Sequence, residues 1–290
     1  MITYLQAIII GLLQGVTELF PISSLGHSVL LPTLFGWHGV VAAQSDTESY
    51  FLAFLVGLHV ATAIALLIFY RQQWSRIISG FFSSLKTRKI TTVDQRLAWL
   101  LVMATIPAAL FGLIFEHRLR VIFAKPLAAA IFLIINGLIL LLGDRLVKVG
   151  RHRRADFSLT QTTANLASLS FKDSLVIGTM QILALFAGIS RSGITMVGGL
   201  WRGLDHEDAA RFSFLLATPI ILAAGLYKLP DLLGPNGNDV RGQILAGSLA
   251  AGLAAYLTVR FLDRFFQANR LKPFAIYCIS FGLLMMLVIH

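Results

Sequence analysis

Gly11-Leu12-Leu13-Gln14-Gly15-Val16-Thr17-Glu18-Leu19-Phe20-Pro21-Ile22-Ser23-Ser24-Leu25-Gly26-His27-Ser28 is a polar interruption in an apolar stretch that runs over residues 2–36. A lipid-facing helix does not carry a carboxylate, a proline and two serines at mid-depth, because hydrocarbon satisfies none of the freed polar groups. The stretch therefore reads as a broken, re-entrant helix pair shielded by the rest of the protein. A secretory signal is a poorer fit: there is no basic leader and no small-residue cleavage pattern, and polar residues fall where the apolar region should end.

A second interruption, Gly188-Ile189-Ser190-Arg191-Ser192-Gly193, breaks the apolar stretch 173–203. Sliding the sequence against itself by 167 positions superimposes Gly11 on Gly178, Gln14 on Gln181, Ile22 on Ile189, Ser23 on Ser190, Gly26 on Gly193 and Ser28 on Thr195. Three apolar runs follow each copy: 51–70, 97–115 and 126–143 after the first, 210–228, 241–260 and 273–289 after the second. Each approaches the roughly 20 residues that cross a bilayer. An odd number of crossings turns the second copy over. The expected architecture is an all-α polytopic membrane protein of six transmembrane helices plus two re-entrant broken-helix hairpins, arranged as an inverted-topology repeat. Residues 1–290 form one integral membrane domain, with repeat one over 1–143, a cytoplasmic loop over 144–172 and repeat two over 173–290.

Composition agrees, since 57% hydrophobic and 13% charged residues over 290 positions leave too little charge to cover a soluble surface. Cys278 is the single cysteine, which excludes an intrachain disulfide and a thiolate metal cluster. The net charge of +10 does not point to nucleic acid, because the basic residues sit in short loops between apolar runs. Loop 71–96 holds Arg71, Arg76, Lys86, Arg88, Lys89 and Arg96; loop 144–172 holds Arg145, Lys148, Arg151, Arg153, Arg154 and Lys172; loop 260–272 holds Arg260, Arg264, Arg270 and Lys272. These are expected to face the cytoplasm. Segments 37–50 and 229–240 lack Lys and Arg and are expected outside, while loop 116–125, with Arg118, Arg120 and Lys125, runs against the contrast. In this orientation hairpin 2–36 enters from outside and hairpin 173–203 from the cytoplasm, so that their tips form one composite site.

Gln14 and Glu18 are one helical turn apart and project from one face. A carboxylate inside an apolar run costs about 2.5–3.5 kcal/mol on insertion scales and marks function, the alternative being a side chain that snorkels to water. Pro21 ends the first half-helix, and Ser23 or Ser24 caps the next, leaving an N-terminus suited to phosphate. His27 follows Ser24 by three residues, so a general base and a nucleophilic hydroxyl share a face; alternatively both serines only cap and the imidazole only packs. At the second break Arg191 stands among Ser190, Ser192 and glycines as an anion clamp, or as a structural partner for Glu18. His59 is expected to bond a neighbouring helix, Asp205-His206-Glu207-Asp208 to cap a helix beginning near 207, and His117 and His152 to carry no chemistry.

Gln14-x-x-x-Glu18, Pro21-Ile22-Ser23-Ser24-Leu25-Gly26-His27 and Gly188-Ile189-Ser190-Arg191-Ser192-Gly193-Ile194-Thr195 together resemble the undecaprenyl-pyrophosphate phosphatase family, the bacitracin-resistance membrane phosphatases. The resemblance extends over nearly the whole chain, including Phe212-Ser213-Phe214-Leu215-Leu216. Leu25 departs from a usual threonine and Ala187 from a usual proline. The resemblance implies release of phosphate from a polyprenyl pyrophosphate lipid in the bacterial cytoplasmic membrane, at a site open to the periplasmic side, with a divalent cation (Mg²⁺ or Ca²⁺). Carried over by position, Glu18 is the essential acid, Ser24 the nucleophile, His27 its partner and Arg191 the phosphate-binding arginine. Gln14 joins Glu18 at the metal, and Ser23, Gly26, Ser190, Ser192, Gly193 and Thr195 line the substrate. The partners expected are this lipid and the surrounding bilayer, with no nucleic acid.

Two rivals share parts of the pattern. A type-2 phosphatidic-acid phosphatase would need a histidine where Val197 stands, and an Arg-Pro dipeptide that the chain lacks. A transporter or flippase of lipid phosphates would share the inverted repeat and its broken helices.

Overall fold

The computed structural model describes residues 2–44, 50–123, 125–154, 166, 168–228, 230, 234, 240–268 and 270–289, and these are helical with short connections. Among the described residues six helices are long and apolar enough to cross a membrane: α4 (Tyr50–Phe69), α6 (Val93–Phe123), α7 (Pro126–Arg154), α10 (His206–Tyr227), α11 (Arg241–Ala268) and α12 (Lys272–Ile289). They include the six runs expected from hydropathy. Around them lie α1 (Tyr4–Thr17), α2 (Ser24–Leu34), α3 (His38–Gln44), α5 (Arg71–Thr87), α8 (Phe171–Met180) and α9 (Arg191–Trp201), with a 3-10 turn over Gln181–Leu185.

Both apolar stretches that carry an interruption are broken into two helices, α1 with α2 and α8 with α9. Each begins on a capping box. Thr3 Oγ1 accepts from Gln6 N at 3.2 Å while Gln6 Oε1 accepts from Thr3 N at 2.9 Å. Ser170 Oγ accepts from Asp173 N at 3.1 Å while Asp173 Oδ2 accepts from Ser170 N at 2.8 Å. These pairs stand 167 positions apart, in the register of the breaks. The packing is reciprocal too: α1 lies against α11, α8 lies against α6, and α7 backs both α2 and α9. Close approach depends on small residues, as is common between membrane helices. A Cβ on Gly11 would overlap the Gly247 carbonyl of α11, and one on Gly178 would overlap the Ala104 carbonyl of α6.

Four connections expected as loops carry helix among the described residues. Residues 71–87 form α5, whose Ile77, Ser84 and partly buried Phe81 face α6, with Trp99 Nε1 donating to Ser84 Oγ at 2.9 Å. Counting charge alone misreads this amphipathic segment, since its apolar residues recur at helical spacing. Helices α6, α7 and α11 also run past their apolar cores to Phe123, Arg154 and Ala268, because the Lys and Arg residues there are good helix formers. The rest of the 144–172 connection and the acidic residues Asp46 and Glu48 lie mostly or wholly outside the described residues, as does most of 229–240. Asp205 caps α10 as expected, accepting from Asp208 N at 2.8 Å.

Candidate active site

The first break places Glu18 at the C-terminal end of α1 and Ser23 at the N-cap of α2. Ser23 has φ of 70°, a left-handed conformation that costs a non-glycine residue about 1–3 kcal/mol unless its surroundings fix it. They do: Ser23 Oγ accepts from Gly26 N and from Gly188 N, each at 3.2 Å, and the Ser23 carbonyl faces His27 Nδ1 at 2.7 Å. Gly188 N belongs to the second break, where φ of 109° requires glycine. Ser190 caps α9 as Ser23 caps α2, its Oγ accepting from Gly193 N at 3.1 Å.

Other bonds lock the tips together. Ser192 Oγ donates to the Phe20 carbonyl at 3.1 Å, and Gly26 packs against Gly188. Asn136, fully buried on α7, donates from Nδ2 to the Pro21 carbonyl at 2.9 Å and accepts from Ser190 N at Oδ1 at 3.0 Å. One amide thus joins both breaks.

Glu18 lies at the junction, 7% exposed. Its Oε1 accepts from Arg191 Nη2 at 3.0 Å and from Nε at 3.3 Å. Its Oε2 accepts from Ser24 Oγ at 2.5 Å and from Gln14 Nε2 at 3.2 Å, with His59 Nε2 at 3.5 Å. Arg191 Nη1 donates to the Ser213 carbonyl at 3.3 Å. An acid, a hydroxyl and a guanidinium therefore meet in one place. Glu18, Ser24, Arg191, His59 and Gln181 open, with Ser23, Ser190 and Lys228, into a cavity of about 600 Å³ whose other walls, including Leu52, Val56, Leu113 and Ile220, are mostly apolar.

Other expected site residues stand further back. His27 does not reach the Ser24 hydroxyl, whose partner is Glu18. Its ring is instead stacked on Phe281 at 5.2 Å between centroids, with Nε2 2.8 Å from Tyr277 Oη. The spacing that puts His27 one turn beyond Ser24 leaves its side chain facing α12, and the Ser23 carbonyl of its own helix cap and Tyr277 Oη of α12 occupy its two ring nitrogens. Ser192, Gly193, Gly26 and Thr195 pack the tips, Thr195 Oγ1 lying 2.7 Å from Ser213 Oγ. Ser23 and Ser190 reach the cavity while serving as caps. The expected His59 contact to a neighbouring helix is made with Glu18, and His59 Nδ1 donates to its own Leu55 carbonyl at 2.8 Å. Asn136 and Tyr277 lie outside the motifs that mark the site in sequence; a lone amide inside the 126–143 run is the available signal for the first.

A buried carboxylate–guanidinium pair that opens into a mostly apolar chamber, among helices long and apolar enough to cross a bilayer, is the arrangement of an integral membrane protein with a polar site at depth. The family described as bacitracin resistance protein BacA matches residues 7–284, and the chain belongs to that family. It is 52% identical to undecaprenyl-diphosphatase 2 of Frankia alni over 98% of this chain and 97% of that one. It is 53% identical to an undecaprenyl-diphosphatase of Mycolicibacterium paratuberculosis over 97% and 95% of the two chains. With undecaprenyl-diphosphatase 2 of Burkholderia thailandensis it shares 44% identity over 95% and 93%.

Proposed function

We infer that this protein hydrolyses undecaprenyl diphosphate to undecaprenyl phosphate and inorganic phosphate, returning the lipid carrier to cell-wall synthesis and so conferring bacitracin resistance. The observation that carries this reading is the convergence of Glu18, Ser24 and Arg191 from two distant helix breaks onto one apolar chamber. The prenyl tail lies along the apolar walls and the diphosphate sits at the base. Arg191 grips phosphoryl oxygens through its planar fork, aided by the N-terminal ends of α2 and α9. Ser24 Oγ, or a water that it orients, attacks the terminal phosphorus as its proton passes to Glu18, forming one P–O bond and breaking the anhydride bond to the lipid phosphate; direct attack by water gives phosphate at once, whereas a phosphoserine formed on Ser24 is then cleaved by a second attack, of water, that releases phosphate and restores the hydroxyl. His27 holds the backbone of Ser23, so its part is to fix the strained turn that aims Ser24.

A divalent cation fits this donor set. Gln14 Oε1, on the amide whose nitrogen meets Glu18, is buried without a hydrogen-bond partner among the described residues, and a hard cation takes one or two protein oxygens and completes its shell with phosphate and water. Gln14 and Glu18 would hold it, and when bound it would neutralise charge on the diphosphate.

The two broken helix pairs are read as re-entrant hairpins of an inverted repeat, a reading supported by the shared register of caps and breaks and by the reciprocal packing of α1 and α8. The site then opens on the periplasmic side of the cytoplasmic membrane. The hydrolase names of the relatives favour turnover over carriage. Purified protein in detergent, given a short prenyl diphosphate and Mg²⁺, is expected to release phosphate; transport without release would overturn the reading.

A further inference from the structure

The 167-residue register pairs Gln14 with Gln181, but the two amides have different fates. Gln14 Nε2 donates to Glu18, four residues on. Four residues after Gln181 stands Leu185, so the second copy lacks the acid that its amide would hold. Gln181 is 2% exposed, it lines the same cavity as Glu18 and Arg191, and neither its nitrogen nor its oxygen has a hydrogen-bond partner among the described residues. A buried amide with both ends unmatched is costly to maintain and calls for a partner in the chamber. Local winding presents it there: α8 ends at Met180 and the chain tightens into the 3-10 turn beginning at Gln181.

The chemistry of the chamber says what that partner is. Arg191 is already shared between Glu18 and the Ser213 carbonyl, so one guanidinium cannot satisfy the many acceptor oxygens of a diphosphate. We propose that the Gln181 carboxamide is a substrate-binding group, its N–H donors taking a phosphoryl oxygen of the diphosphate headgroup opposite Arg191. The proposal rests on the hydrolase reading for its natural ligand. It adds a neutral donor, which binds phosphate without pairing to Glu18.

The test uses Gln181→Met, similar in shape but without the donor, and Gln181→Glu, equal in size but offering only acceptors. KM and kcat for a short prenyl diphosphate are measured beside the stabilisation of the detergent-solubilised protein by inorganic pyrophosphate. Both variants are expected to raise KM about 10- to 100-fold, Gln181→Glu more than Gln181→Met, with kcat changed only a few-fold. Pyrophosphate stabilisation is expected to be lost in both. The ligand-free melting temperature of Gln181→Met is expected to hold or rise, because an unmatched buried amide has been removed. Unchanged KM and unchanged pyrophosphate stabilisation would overturn the proposal, as would a lowered melting temperature with unchanged KM, which would assign the amide to internal water. The binding arm needs no turnover. A wild-type protein that binds pyrophosphate through Gln181 yet releases no phosphate would therefore overturn the hydrolase reading and leave this one standing.

Discussion

Glu18 accepts the Ser24 hydroxyl at 2.5 Å on Oε2 and leaves Oε1 to Arg191, so one carboxylate addresses a nucleophile and an anion clamp with different oxygens. Glu18→Gln keeps the shape but can no longer take the Ser24 proton. Phosphate release is expected to fall about 10²- to 10⁴-fold, the usual worth of a positioned base. Arg191→Lys keeps the charge but loses the fork, and is expected to raise KM sharply because a point charge cannot hold two phosphoryl oxygens in a plane. Steady-state phosphate assays on the two variants check both, and an active Glu18→Gln would remove the carboxylate from the chemistry.

Asn136 satisfies the Pro21 carbonyl and the Ser190 N–H with one amide. Asn136→Leu leaves the buried Ser190 N–H unmatched and the Pro21 carbonyl with only the weak Cys278 thiol donor at 3.8 Å, at a cost of about 1–3 kcal/mol. A lowered unfolding midpoint in detergent, together with reduced kcat, is the expected result, because the breaks lose the strap that registers Glu18 against Arg191. A variant that unfolds like wild type would show that the tips hold each other without α7.

How much of this was legible in sequence depended on locality. The breaks were readable because Pro21 and the serines sit together, and the repeat because Gln181 and Ser190 match Gln14 and Ser23 in register. Glu18 with Arg191 could be paired from charge cost alone, since an isolated charge at that depth is expensive. Which hydroxyl or imidazole the acid meets was not readable. Helical spacing puts His27 near Ser24, but the stacking of its ring on Phe281 depends on a helix some 250 residues away, as does its contact with Tyr277. Helix α5 is hard to see for another reason: its charge density resembles a loop, although its apolar spacing is that of an amphipathic helix.

The seam between α1 and α11 predicts a contrast between two glycines. A side chain at Gly11 would collide with the backbone of α11 at Gly247, whereas a Cβ at Gly252 would come no closer than 3.6 Å to the Ala61 carbonyl, an ordinary contact. Gly11→Val is expected to force α1 away from α11, destabilising by about 1–3 kcal/mol or more, as overpacking does. Gly252→Ala is expected to unfold within about 0.5 kcal/mol of wild type or slightly above it, since alanine is the better helix former. Unfolding curves for the two variants test the seam, and equal losses would refute it.

Asp173, at the start of α8, sets an acid limit on the fold. Burial pushes its carboxyl up, but hydrogen bonds from Ser170 N and Oγ and from Arg202 more than offset this and leave its pKa below the ordinary carboxylate value. A folded-state pKa lowered in this way contributes stability that is complete above the unfolded carboxylate's range and disappears as pH falls through the lowered value. Melting temperature is therefore expected to be flat above roughly pH 5 and to drop below it. Asp173→Asn should show a lower plateau and a shallower drop, because the titrating group is gone while the Ser170 cap is only weakened. Identical acid profiles for the two proteins would assign the loss to other carboxylates, and a plateau equal to wild type would mean that the Arg202 contact adds nothing to holding α8 in place.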